Sequence, residues 1–300
     1  MHQSSLVNMS NTIDQDICKL CKFCMEVCPC NILDINQQGK MHFIPEREKI
    51  CLHCGQCMSI CSTKAIKVDG LSYEQDLHDL PANHTGYQEF IAFLAHRRSI
   101  RNYKEKPVSD KMISQILDAV SYAPYGAARE KTHISIVNDR QKIETALPLI
   151  SRFLDDIVKY IESPVASFMI RRKRGPETFN TLKHHLYPIS KLGNYKLENG
   201  DRITRGAPCI MIFHGERGAE EHTNNSLVHA TYAMLAAHSL GLGASMNGIV
   251  PAAVNRVAGV REIFRVPDLH EAVISLIVGH PKYTYKRAIR RGNQPIHWEV

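Results

Sequence analysis

Eight cysteines in this chain are placed by one rule. The first run reads Cys18-x2-Cys21-x2-Cys24-x3-Cys28 and the second Cys51-x2-Cys54-x2-Cys57-x3-Cys61, each cysteine of the second lying 33 positions after its counterpart. Thiolates at this spacing hold cubane iron–sulfur clusters, and the fourth cysteine of each run ligates the other run's cluster. The spacing therefore predicts Cys18, Cys21, Cys24 and Cys61 around one [4Fe-4S] cluster, and Cys51, Cys54, Cys57 and Cys28 around another. Single-electron transfer is the chemistry such a pair would do. Two structural zinc sites are the rival, because Cys-x2-Cys pairs also suit tetrahedral zinc. Zinc uses pairs, however, whereas each run has three cysteines at equal gaps, and Pro29 follows the fourth as in the cluster signature.

The repeated unit runs from about residue 14 to 69, each ladder being followed by a short extended piece at 31–35 and 64–68. A unit so small buries little apolar surface, and clusters would act as its core. Over this stretch the chain resembles the bacterial two-cluster ferredoxins. Ser62 departs from that pattern, standing where a second proline is usual. Cys30 is left over beside Cys28 and reads as a bystander. Cys209 lies in an apolar run, where a free cysteine behaves as a small hydrophobe.

Three hundred residues, 44% of them hydrophobic and 22% charged, suit a soluble chain of two domains. The net charge of +7 fits phosphate ligands or acidic partners as well as plain solubility. The first 16 residues are polar with no apolar signal core, and no apolar run has the length of a bilayer span. Cysteines at cluster spacing point to a reducing, cytoplasmic setting. The expected organisation is α+β: a ferredoxin-like two-cluster domain at 1–70, a linker at 71–87 and a mixed α/β domain at 88–300. In the last, helices are expected at 88–96, after the N-cap Ser109, over 142–161 with a break or kink at Pro148, and over 225–240. Strands are expected at 133–137, 208–214 and 271–279. Residues 162–205 give no clear periodicity.

A second group of residues suits anion binding. Arg97-Arg98-Ser99-Ile100-Arg101 follows the short helix, and reads either as a solvated cationic turn or as a phosphate clamp, since guanidinium grips phosphate with a planar fork. Further on come Ala123-Pro124-Tyr125-Gly126-Ala127-Ala128-Arg129-Glu130, the segment Gly241-Leu242-Gly243-Ala244-Ser245-Met246-Asn247-Gly248, and a basic cluster of Lys286, Arg287, Arg290 and Arg291. With these pieces in this order, residues 88–300 resemble the nitroreductase family of FMN enzymes.

The resemblance implies a homodimer with FMN at the subunit interface. Arg97, Arg98, Ser99 and Arg101 match the family's phosphate and ribityl contacts. Ala123, Pro124 and Tyr125 match its Ala-Pro turn, counted with the cofactor contacts. Met246, Asn247 and Gly248 match the backbone that lies along the isoalloxazine, and Arg287 or Arg290 matches the tail that closes on the phosphate. The family's Ser-Gly-x-Asn-x-Gln-Pro-Trp is altered here: Ala128, Glu130, Lys131 and Thr132 occupy the asparagine, glutamine, proline and tryptophan positions. Ala128 has no side-chain donor to offer a flavin edge.

Some function classes are excluded. Gly241 and Gly243 follow a helix and the next glycine comes too late for a dinucleotide fingerprint. The basic run at 171–174 stands without any recognised nucleic-acid motif. The sixteen histidines form no paired metal spacing. The resulting expectation is an iron–sulfur flavoprotein oxidoreductase. Electrons pass from a donor, ferredoxin or NAD(P)H, through two clusters to FMN, which reduces a small nitroaromatic- or quinone-like substrate. The alternatives are an electron-transfer module serving a partner protein, or another FMN reaction such as reductive dehalogenation. No side chain is assigned as acid, base or nucleophile.

Overall fold

The structure is a computed structural model that describes residues 11–81, 85–290, 292 and 295–298. The first ten residues, three residues of the expected linker and Arg291 of the basic cluster lie outside that set. The chain divides into two units, Met1–Thr85 and Gly86–Val300.

Among the described residues the first unit is a pair of two-stranded antiparallel ribbons with two short α-helices and a 3-10 helix at Pro45–Ile50. In chain order it contains β1 (Thr12–Ile13), α1 (Phe23–Glu26), β2 (Leu33–Ile35), β3 (Met41–Phe43), α2 (Gln56–Ile60) and β4 (Ile66–Lys67). Strand β1 pairs with β4 and β2 with β3. The two expected extended pieces shrink to β2 and β4, and each pairs with a strand that sequence periodicity did not flag. Ile32, Leu33, Met41, Phe43, Met58, Ile66 and Val68 form a small core with Cys24 and Cys57. Leu71, Tyr73 and Leu77, from the stretch expected to be linker, pack against it. Three apolar residues in seven were enough to fold that stretch onto a unit short of apolar cover.

The second unit contains α3 (Tyr87–His96), α4 (Asp110–Ser121), β5 (Thr132–Val137), α5 (Arg140–Glu162), α6 (Pro164–Arg174), α7 (Pro176–Thr181), α8 (Tyr187–Lys191), β6 (Cys209–Glu216), α9 (His222–Ser239), β7 (Gly243–Asn247), α10 (Ile249–Val254), α11 (Ala258–Ile263) and β8 (His270–Gly279). Its sheet is antiparallel throughout, in the order β5-β6-β8-β7. Strand β6 separates two cores by alternation. Ile210 and Ile212 join the side with α5, α10 and α11, whereas Cys209, Met211 and Phe213 join the side with α4 and α9. Cys209 is buried in that second layer, and burial pushes its thiol up to about 12, as suits an inert small hydrophobe.

Local signals explain most boundaries. The Ser109 hydroxyl accepts from the Met112 amide and opens α4. Asp139 does the same for α5 with the amides of Gln141 and Lys142. Helix α5 continues through Pro148, where a break or kink was expected. Pro148 is exposed while Ala146, Leu147 and Ile150 beside it are buried, so the carbonyl that loses its partner faces water and core packing carries the helix on. The unreadable stretch 162–205 is largely short helices, including a π-helical turn at Leu182–Leu186. Mixed polar faces, not disorder, hid them from periodicity. Gly241, at φ +74°, ends α9 as a left-handed cap, with the Leu242 amide reaching the Ala237 carbonyl at 2.8 Å. No described helix is long and apolar enough to cross a membrane.

Candidate functional site

In the first unit the backbone repeats with the cysteines. Leu20 and His53, Lys22 and Gly55, and Asn31 and Lys64 all have positive φ, and each pair is separated by the same 33 positions. Left-handed residues set among right-handed ones turn successive amides toward one side, which makes a concavity for negative charge. Two such concavities result. One is lined by Cys18, Cys21, Cys24 and Cys61, the other by Cys51, Cys54, Cys57 and Cys28, with Cys30 also on its wall. The fold thus brings together the two crossed sets of four read from the spacing.

The sulfurs surround spaces and do not converge on points. Among the described residues no three His, Cys, Asp or Glu side chains are placed to hold a single metal ion. A tetrahedral zinc site, with Zn–S near 2.3 Å, would draw its sulfurs to about 3.8 Å from one another. Burial pushes the thiols of Cys24 and Cys51 up, and that of Cys57 to about 12. Thiolates there would need adjacent cationic charge, which iron would supply. Cys61 differs. Burial opposes its ionisation, but the Thr63 hydroxyl at 3.6 Å and the Ala65 amide at 3.3 Å turn toward its sulfur and hold its thiol below the ordinary value. Donors to a ligating sulfur are also what tune a cluster's potential. The cavities therefore fit the clusters in donor set and charge.

In the second unit the candidate site forms along the free edge of β7. Ser99 makes a parallel bridge with Ala244, and the Ile100 amide donates to the Ala244 carbonyl at 3.1 Å. Gly243 permits this approach, since a Cβ there would lie 2.6 Å from the Ile100 side chain. Tyr103 anchors the segment from beneath, its hydroxyl within 2.7 Å of the Ile100 carbonyl and 3.0 Å of the Ile277 carbonyl. The arginines do not form one cluster. The Arg97 guanidinium reaches the Met234 sulfur on α9, and Arg101 is exposed, 3.4 Å from the Ser99 carbonyl. Arg98 turns to the C-terminal tail, donating to the Arg97 and Arg287 carbonyls at 2.6 and 2.9 Å.

Around Arg98 lies a cavity of about 230 Å³ walled by Ala95, His96, Tyr285, Lys286, Arg287 and Ala288. Among the described residues the Arg98 Nε is buried without a hydrogen-bond partner. An orphaned guanidinium nitrogen beside Lys286 and Arg287 fits an oxyanion such as phosphate. Arg287 is on this wall and Arg290 is not.

Met246, Asn247 and Gly248 close the strand. The Met246 side chain is exposed and the position of Gly248 is open, with nothing within 4 Å of a Cβ placed there. A flat ligand could lie against that backbone. Asn247 spends its side chain internally: its oxygen accepts from the amides of Ile249 and Val250, and its nitrogen donates to Ile203 at 2.7 Å. Ile203 belongs to a loop folded around Asp201, whose carboxylate accepts from Thr204, Gly206 and Arg140. Burial opposes that carboxylate's ionisation, yet these donors outweigh it and hold Asp201 below the ordinary carboxylate range.

The Ala-Pro turn is held from α9. Asn225, which is buried, accepts from the Gly126 amide at 2.8 Å and donates to the Ala127 carbonyl at 3.2 Å. Ala123 is buried, Pro124 is exposed, and Tyr125 lies under the Arg129 guanidinium. Ala128 sits at φ +55°, in the left-handed region. Asn225 and Tyr103 were not singled out as site residues from sequence; Asn247 was, for its backbone, but not for these side-chain bonds. Asn247 had a signal, an asparagine just ahead of a helix start, whereas Asn225 is fixed by tertiary contact alone.

Strand pairing also gathers histidines that no sequence spacing linked. His133 lies opposite His214 in the β5–β6 register, and His270 begins β8 beside them. His214 Nδ1 is 2.9 Å from His270 Nδ1, and its Nε2 is 2.9 Å from the Ser135 hydroxyl. Burial, then the charges of His270, His133 and Arg261, push His214 down to about 4.

Residues 17–65 match the 4Fe-4S dicluster domain, and residues 94–280 match the Nitroreductase family. A putative NADH dehydrogenase/NAD(P)H nitroreductase of Methanothermobacter thermautotrophicus is 25% identical over 190 residues, covering 62% of this chain and 73% of that protein. A ferredoxin of Pyrobaculum islandicum is 39% identical over 54 residues, 18% of this chain and 48% of its own length. The crystal structure of a nitroreductase with bound FMN from Desulfitobacterium hafniense superposes with a TM-score of 0.51 at 19% identity, covering 70% of this chain and 98% of that one, and so shares the fold. With its bridge from β7 to the Arg-x-Ser-x-Arg-like segment in place and more than half of its length matched, the chain belongs to the nitroreductase family.

Proposed function

We propose that this chain is an iron–sulfur flavoprotein oxidoreductase that takes electrons from an external donor, a ferredoxin or NAD(P)H, and delivers them to a small oxidised acceptor of nitroaromatic or quinone type. The observation that carries the reading is the division of eight cysteines into two crossed sets of four on a chain that also has the nitroreductase domain. When bound, two [4Fe-4S] clusters would supply one-electron carriage, and FMN the exchange between one- and two-electron chemistry.

The chain's own residues have distinct parts in this proposal. Cys18, Cys21, Cys24 and Cys61 would hold the first cluster, and Cys51, Cys54, Cys57 and Cys28 the second. Arg98, Lys286 and Arg287 would grip the FMN phosphate, while Arg97, Ser99 and Arg101 would line the ribityl side. Met246, Asn247 and Gly248 would offer backbone to the ring, held in place by the Asn247 side chain. Ala123, Pro124 and Tyr125 would bound the site through the turn that Asn225 braces, in a homodimer working in the cytoplasm. FMN bound to the Desulfitobacterium nitroreductase supports the cofactor.

The test is spectroscopic. Protein purified without oxygen is expected to contain iron and sulfide, to give reduced-cluster EPR signals with dithionite, and to release FMN on denaturation. Zinc in place of iron, or no FMN in the released fraction, would end the reading. Ala128 in place of a side-chain donor favours one second reading, an electron-transfer module that binds FMN without turnover. Reduced protein that no quinone or nitroaromatic reoxidises would establish it.

A further inference from the structure

The second cysteine cavity has a fifth thiol. Cys30 stands on its wall with Cys28, Cys51, Cys54 and Cys57. Among the described residues the first cavity has only its four cysteines. The repeat explains where Cys30 points. Its counterpart 33 positions on is Thr63, which lines the first cavity and brings its hydroxyl to 3.6 Å from the Cys61 sulfur. The position two after the fourth cysteine therefore faces a cluster cavity in both halves. One half uses it for a hydroxyl donor and the other for a thiol. Cys28 and Cys30 flank Pro29, and the chain reverses directly after them, with Asn31 at φ +48° and its amide 3.2 Å from the Cys28 carbonyl. Cys30 is half-buried and free of any disulfide.

Resting on the cluster reading above, we propose that Cys30 is a reserve ligand of the second cluster, able to take the iron position of Cys28. In the exchange the Cys30 thiolate bonds to iron as the Cys28–iron bond breaks. The proton lost by the Cys30 thiol ends on Cys28, and no electron is transferred. Loss of Cys28 by oxidation or alkylation would then leave the cluster in place.

The test compares full-length wild type with Cys28→Ala, Cys30→Ala and the double variant, each reconstituted without oxygen from ferrous iron and sulfide. Cys28→Ala is expected to keep the wild-type iron content and both reduced-cluster EPR signals, one of them altered in shape. The double variant is expected to lose half the iron and that one signal, and Cys30→Ala to keep all of it. Alkylation of the wild-type holoprotein should place label on both Cys28 and Cys30, each in part of the population. If Cys28→Ala falls to the level of the double variant, the proposal is wrong. If Cys30→Ala alone loses a cluster, Cys30 is a primary ligand and not a reserve. If wild type itself takes up no iron, the cluster reading fails, which is a different result from either. Unchanged FMN content in every variant confirms that the rest of the chain has folded.

Discussion

The Asn247 amide donates to the carbonyl of Ile203 at 2.7 Å and so ties the end of β7 to a loop more than forty positions earlier. The same side chain accepts from the amides that open α10. One residue thus fixes both the direction of the strand end and the start of the next helix. Replacing it with alanine strands buried donors, at a cost of about 1–3 kcal/mol. Asn247→Ala is expected to lower the unfolding midpoint by that order and to lose FMN on gel filtration, with iron content unchanged. Asn247→Asp keeps the acceptor for both amides but turns a carboxylate oxygen toward the Ile203 carbonyl, so it should not restore wild-type stability. Full FMN retention in Asn247→Ala would show that this strand end does not shape the flavin site.

The orphaned Nε of Arg98 gives a sharper prediction about the phosphate. A charge-assisted hydrogen bond contributes about 1.5–3 kcal/mol, so Arg98→Ala should weaken FMN binding roughly tenfold to a hundredfold. Arg290, which is off the cavity wall, should change it less than about twofold when replaced, a result within the usual effect of a surface substitution. Replacing Arg97 and Arg101 together should also strip flavin while leaving the clusters. Fluorescence of released FMN measures all three. Equal losses for Arg98→Ala and Arg290→Ala would place the phosphate elsewhere.

Legibility differed between the two units for a physical reason. Cysteines spaced for a cluster stand at fixed sequence distances, so the two sets of four that line the cavities could be read directly. Helices with a clean apolar stripe, such as α4 with Ile113, Ile116 and Val120, were readable as well. Strand β7 was not, because Gly243 and Ser245 carry no strand signal and the pairing with β8 supplies it. The divergence of Arg97 and Arg98 was also hidden. Adjacent arginines in one string look like one clamp, but the extended bridge at Ser99 sends neighbouring side chains to different partners.

Acid should loosen the second unit through His214. Its value falls from an ordinary 6.5 to about 4 on folding, chiefly through burial. A depressed value means that the unfolded chain binds a proton more readily, so stability is fully present above 6.5 and declines as pH falls toward 4. The slope is at most about 1.4 kcal/mol per pH unit for one group. Urea midpoints between pH 7 and 4 should show the decline, and His214→Gln should flatten it. A slope unchanged in His214→Gln would assign the acid sensitivity to other groups.

Ala128 carries backbone strain that a different residue would relieve. Left-handed φ costs an ordinary L-residue about 1–2 kcal/mol, and asparagine adopts it more readily than alanine. Ala128→Asn is therefore expected to raise stability by about 0.5–1 kcal/mol, read from the thermal midpoint of the apoprotein. It also restores a side-chain donor beside the proposed flavin, so FMN should be held more tightly. A gain in stability without a gain in FMN affinity would separate the two effects and leave the turn with a purely conformational role.

The crossing of the cysteine sets can be tested against ligation within each run. Cys18 and Cys61 line the same cavity although they come from different runs, and Cys57 lines the other although it stands close to Cys61 in sequence. If the cavities hold the clusters, Cys18→Ala and Cys61→Ala should weaken the same reduced-cluster EPR signal, and Cys57→Ala the other one. Ligation within runs predicts a different grouping, with Cys57→Ala and Cys61→Ala alike and Cys18→Ala apart. The Cys61 sulfur also has the Thr63 hydroxyl and the Ala65 amide turned toward it. Removing the hydroxyl in Thr63→Val takes away one donor that stabilises negative charge at that sulfur, so the potential of the Cys18 cluster should fall while that of the other stays fixed. A shift confined to the signal that Cys57→Ala abolishes would contradict the crossed assignment.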